Sequence, residues 1–139
     1  MSTKSTIFFP RTYGQSTDVV LLLLRLAFGG LMLLNHGMGK MNRLFADEIK
    51  FLDPLGLGME VSLFLAVFAE VICAGLLVVG LFTRWAAIPL VITMLVAVFI
   101  IHGADPLSDK EMAILYLIPY IALMWLGAGR YSIDYQVGR

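Results

Sequence analysis

Few side chains of this sequence can carry charge or a proton in oily surroundings. Arg25, His36 and Lys40 lie in one apolar run, Glu70 in the next, and His102, Asp105 and Glu111 around a later break. Arg25, Gly29, Met32, His36 and Lys40 follow one another at spacings of four, three, four and four, which places them on one face of an α-helix. A guanidinium, an imidazole and an ammonium thus share one stripe. Lipid against that stripe would cost roughly 2.5 to 3.5 kcal/mol for Arg25 alone, so it should point at other protein.

Glu70 is the intramembrane carboxylate that Arg25 can reach, and the two are expected to face each other across the first two helices. Such a pair is either a structural lock between helices or a proton- or ligand-handling pair. His36, Lys40, His102 and Glu111, with Asp105 and Glu60 nearby, form a second group at the outer ends, expected to converge on one polar pocket. That group admits a small-molecule or proton site, or interfacial hydrogen bonding. No metal site is assigned, because the spacing contains no HExxH or other tight ligand pattern. Cys73 is the single cysteine, which excludes an intrachain disulfide and a CxxC relay and reads as a small packing residue. Tyr116, Tyr120 and Trp125 are the aromatic candidates for stacking on a bound cofactor.

The elements that must position these residues are membrane helices. Of 139 residues, 60% are hydrophobic and 14% charged, with mean hydropathy +0.88, more than one water-soluble core of this size can hide. The formal net charge is zero, and no basic surface suggests nucleic acid. The sequence predicts an all-α fold, an integral membrane antiparallel four-helix bundle in contact with the lipid bilayer. Residues 1–17 form an N-terminal cytoplasmic or interfacial tail with Ile7, Phe8 and Phe9 at the interface, and no removable signal peptide is seen. A single domain over 18–129 holds spans at about 18–38, 60–82, 86–102 and 109–126, and 130–139 is a C-terminal tail. Asp18 reads as the first N-cap, residues 45–52 as a short interfacial helix, Pro89 as a first-turn proline and Ser108 with Glu111 as a capping box. Pro119 should kink the fourth helix, with Tyr116 or Tyr120 able to satisfy the freed carbonyl. Lys4, Arg11, Arg84, Arg130 and Arg139 lie on the side of the termini, against Lys40, Arg43, Lys50 and Lys110. The excess, five to four, favours a cell (inner) membrane protein with both termini cytoplasmic.

Four stretches in order carry a resemblance to the DoxX family of small four-span membrane proteins. Arg25 followed by His36-Gly37-Met38-Gly39-Lys40 resembles the family's Arg and H-G-x-x-K in the first span. Glu70 before residues 75–87 (GLLVVGLFTRWAA) resembles its Glu and Gly-rich helix with a G-L-x-T-R turn. His102 and Glu111 resemble the residues flanking its outer turn, and residues 127–134 (GAGRYSID) its closing G-x-G-R-x-S-x-D. The connection from His102 to Glu111 is shorter than in many relatives. The resemblance implies association with membrane oxidoreductase systems, including quinone-dependent ones, with a partner oxidoreductase subunit; a homo-oligomer is what a transporter of four spans would need. No self-contained catalytic or redox-centre motif is visible, since one cysteine and two separated histidines make no haem or iron–sulfur ligand set. Three roles stay open: a quinone-binding redox-associated subunit, a non-enzymatic scaffold or assembly factor, and a small oligomeric transporter. The polar site would be Arg25, His36, Lys40, Glu70, His102 and Glu111.

Overall fold

The structure, a computed structural model, describes residues 11–138, so the interfacial triplet at 7–9 lies outside the described residues. Among these the chain forms five helices and no strand: α1 Gln15–Leu44, α2 Met59–Val79, α3 Thr83–Ile101, α4 Leu107–Leu126 and a short α5 Ile133–Val137. Helices α1 to α3 are long and apolar enough to cross a membrane. At ~1.5 Å per residue, the 20 residues of α4 also reach about 30 Å.

α1 runs antiparallel to α2, with Arg25–Gly29 beside Ala74–Val79, Met32–Gly37 beside Phe68–Cys73 and Met38–Leu44 beside Met59–Val67. α3 packs along α4 and α2, and α4 returns to α1. Tyr13 Oη donates to the Leu126 carbonyl at 2.8 Å and Tyr120 Oη to that of Phe28 at 3.0 Å, which fixes α1 and α4 as antiparallel. The core between these helices is apolar and close-packed, with Leu21, Met32, Leu77, Leu90, Tyr120 and Leu123 at its centre. Leu23, Phe64, Phe99, Ile118 and Trp125 face outward. A water-soluble protein would hide such residues, whereas a lipid-facing helix keeps them exposed.

Close approach of α1 and α2 depends on Gly37, because a Cβ there would overlap the backbone carbonyl of Glu70. Small residues let membrane helices touch backbone to backbone, and dispersion then takes over the role that the hydrophobic effect plays in water. α2 ends on Gly80, whose left-handed φ of 74° lets Leu81 N–H return to the Leu76 carbonyl at 3.0 Å.

Several local expectations fail for identifiable reasons. α1 starts at Gln15, so Asp18 lies one turn inside, fully buried, and its Oδ1 accepts from the Arg130 amide at 3.0 Å instead of capping its own helix. The helix also continues past residue 38 to Leu44, and no helix forms over 45–52. Eight residues with only Phe45, Ile49 and Leu52 on the shared face gain too little burial to nucleate alone. α4 begins on Pro106 and Leu107 with no side-chain cap, so the box from Ser108 to Glu111 is not made. α3 begins at Thr83, which puts Pro89 in its second turn; Thr93 Oγ1 bonds the Pro89 carbonyl at 2.8 Å.

The Gly37 contact generates a contrast within one turn. Gly37→Ala should destabilise the fold by about 1 to 3 kcal/mol, the range for overpacking a filled site. Gly39→Ala, where an added Cβ meets nothing within 4 Å, should be neutral or stabilise by up to about 1 kcal/mol through helix propensity. Unfolding free energies in bicelles check this, and equal effects would remove Gly37 as the point of closest approach.

Candidate functional site

Arg25 and Glu70 do not meet. In the antiparallel register Arg25 is level with the carboxyl end of α2, while Glu70 is level with His36 and Gly37, a full two turns away. The Arg25 guanidinium, 2% exposed, donates Nε–H to the Leu77 carbonyl at 3.0 Å, Nη2 to Val78 at 3.2 Å, and Nη1 to Ala128 at 2.8 Å and Tyr131 at 2.9 Å. A planar fork with five donors thus satisfies the last carbonyls of a helix, where the dipole is negative, and ties them to the chain after α4. The same strap, residues 127–134, places the Asp134 carboxylate on the amides of Phe82 at 2.7 Å and Thr83 at 2.9 Å, capping α3 from a distant part of the chain. At this end the charged side chains do structural work.

The other charged partner is Lys40, whose Nζ lies 2.5 Å from Glu70 Oε2, with the two side chains 23% and 3% exposed. This pair lies in a cavity of about 670 Å³ at the end opposite the termini, bounded by all four long helices and the loop between α1 and α2. His36, Lys40, Glu70 and His102 line it, as does Tyr116, whose ring meets His36 edge-on with centroids 5.6 Å apart. His102 also bonds Asp105 through Nδ1 at 2.8 Å. Of the other anticipated residues, Arg25 of α1 is bonded to the strap and lies outside the lining, and Glu111 is exposed and outside the lining. Tyr120 is sealed in the core behind Tyr116, with its hydroxyl committed to Phe28, and Trp125 is 71% exposed, away from the cavity. Among the described residues, no three His, Cys, Asp or Glu side chains gather to hold a metal ion.

Four stretches are wound as π-helix: Arg25–Gly29, Met32–Gly37, Phe68–Cys73 and Ala97–Ile101. Arg25, His36 and Glu70 lie inside such turns, and His102 follows one directly. Wide turns carry more residues than an α turn, so they re-aim side chains relative to a 3.6-residue stripe, and they concentrate at functional sites. Spacing alone gives no signal for them.

Sequence reasoning also missed the loop that closes the cavity. Phe51, Leu52, Pro54, Leu55 and Leu57 line it, although Leu52, Leu55 and Leu57 also remain more than half or about half exposed. Asp53 shapes that loop: its carboxylate accepts from the Leu57 and Gly58 amides at 2.9 and 3.0 Å and from Ser62 Oγ at 2.8 Å. An Asp-Pro turn with glycines was visible, but nothing in the spacing named Ser62 as the anchor.

These helices define a multi-pass membrane protein. A family model described as DoxX matches residues 20–103, more than half of the chain, and the protein belongs to the DoxX family. The match contains Arg25, His36, Lys40, Glu70 and His102, while Glu111 and the strap lie beyond it. No curated protein and no solved structure matches the chain significantly.

The hydrogen bond from Ser62, followed by the Gly58 amide, holds the Asp53 carboxyl below its usual range. A carboxyl lowered in the native state supports that state above the unfolded value of about 3.9 and ceases to do so as pH falls through the native value. Amide exchange at Leu57 and Gly58, corrected for intrinsic rates, should therefore show constant protection down to about pH 4 and a loss below it. Asp53→Asn should abolish that acid step. Protection that declines identically in both proteins would show that the staple is not Asp53.

Proposed function

We propose that this protein is a four-span antiparallel helix bundle of the cell (inner) membrane that holds a quinone or similar small amphipathic ligand in its outer cavity, as a subunit of an oxidoreductase system. The observation that carries this reading is the cavity itself. Its volume of about 670 Å³ falls in the range of small-molecule sites, which combine apolar walls with a few convergent polar groups. Lys40 and Glu70 supply an N–H donor and a carboxylate acceptor, Tyr116 and His36 supply flat faces and a hydroxyl, and Leu65, Ile92 and Val96 supply wall for an apolar tail. A quinone oxygen docked at Lys40 and a quinol hydroxyl docked at Glu70 use the same two groups.

The length of α4 and the cyclic packing of α1 to α4 support four crossings, and the five-to-four Lys and Arg bias supports cytoplasmic termini. Resemblance to family members that work in membrane oxidoreductase systems supports a partner enzyme. The chain's own part is to hold and orient the ligand and to shield its head from lipid and water. Electron transfer would belong to the partner.

Filling the wall tests the reading without touching a polar residue. Ala97 and Ala113 both line the cavity, and Ala97→Phe or Ala113→Phe should weaken binding of decylubiquinone by about tenfold or more, an energy of ~1.4 kcal/mol. Equilibrium binding to the purified protein in non-ionic detergent is the measurement. If the parent retains no quinone, or the filled variants retain as much as the parent, the cavity is not a quinone site and the scaffold reading takes its place.

A further inference from the structure

We infer that the cavity selects ligands whose head is uncharged yet both donates and accepts hydrogen bonds, and that the Lys40–Glu70 pair imposes this selection. The inference rests on the reading that the cavity holds an amphiphile and adds the charge class of its head. Lys40 Nζ and Glu70 Oε2 are 2.5 Å apart, with the carboxylate 3% exposed. The pair therefore neutralises itself, with the carboxylate buried and the ammonium, 23% exposed, lining the cavity. The other residues of fixed charge on the lining, Arg43 and Asp109, are exposed and of opposite sign, so with the His36 and His102 imidazoles neutral at mildly alkaline pH the lining carries no surplus charge to be met by a ligand.

A charged head arriving at this pair must break it or sit beside it unbalanced. A carboxylate competes with Glu70 for the ammonium and repels it at short range; an amine competes with Lys40 for the carboxylate. Either leaves one buried charge without its counter-ion, which a low-dielectric site penalises strongly. A hydroxyl head, that of an alcohol or a quinol, makes no such demand. An ammonium has three donors and a carboxylate two acceptor oxygens, so one contact between them leaves capacity on both sides for a neutral head that bridges the pair without opening it. The apolar wall then takes the tail, whichever head is present.

The test uses three amphiphiles with one tail: dodecanol, dodecanoate and dodecylamine, radiolabelled, at equal mole fraction in a non-ionic micelle and mildly alkaline pH. Retention by the purified full chain is measured. The parent should retain dodecanol at least about tenfold more tightly than either charged analogue. Glu70→Gln, which leaves Lys40 without its counter-ion, should move the preference to dodecanoate, and Lys40→Met should move it to dodecylamine. The double variant, neutral again, should return to dodecanol. Should a single variant fail to fold, the ranking by the parent and by the double variant still decides. Charged and neutral analogues retained equally by the parent, or single variants that keep the parent's ranking, would overturn the inference while leaving a ligand cavity in place. Retention of none of the three would overturn both the inference and the cavity reading beneath it.

Discussion

Seating of Gly37 against the Glu70 carbonyl fixes how far α1 slides along α2, and that register determines which buried charges meet. Arg25 is carried to the carboxyl end of α2, where free carbonyls and the negative end of the helix dipole await it. Lys40 is carried to Glu70. A shift of one turn, about 5.4 Å, would leave both cations short of their partners in a medium that does not forgive it. Small-residue packing and charge satisfaction therefore demand the same register, which is the agreement between levels that gives a chain one native arrangement.

The two ends of the molecule use their polar residues in different ways. Near the termini, Arg25, Asp18 and Asp134 bind backbone groups at the end of α2, the start of α3 and the strap after α4. Gly80 is part of that fit, since a Cβ there would lie 2.6 Å from Ser132 Cβ and 2.8 Å from Arg25 Cζ. At the opposite end the helices splay around a cavity, and the loop above it is held by Asp53 on Ser62 and two amides. Apolar side chains of that loop line the cavity on one side and are exposed on the other. The rigid end sets the helix positions on which the hollow end depends.

Much of this was legible in the sequence, and the failures share a cause. Apolar runs located the long helices, and burial of the stripe at Arg25, Gly29 and Met32 follows from the cost of showing a cation to lipid. Grouping His36, Lys40 and His102 by depth placed three cavity residues together. Pairing Arg25 with Glu70 fails because Gly37 seats on the Glu70 carbonyl, which leaves Arg25 twelve residues, about 18 Å, nearer the termini and out of reach. Arg25 and Lys40 both face α2, as their shared stripe requires, and it is depth along that helix that gives them different partners. The tail after α4 read as polar and short, yet its carbonyls and Asp134 complete the caps of α2 and α3. Long-range caps of this kind depend on tertiary placement, and local sequence carries no trace of them beyond the motif's residue types.

The helix register couples Lys40, and not Arg25, to Glu70. Double-mutant cycles on unfolding free energy in bicelles measure that coupling directly, with Lys40→Met against Glu70→Gln in one cycle and Arg25→Met against Glu70→Gln in the other. The structure predicts a coupling of about 0.5 to 3 kcal/mol in the first cycle, as for residues in contact, and additivity within about 0.5 kcal/mol in the second. Additive losses for Lys40 with Glu70, or a strong coupling of Arg25 to Glu70, would contradict the register and the account built on it.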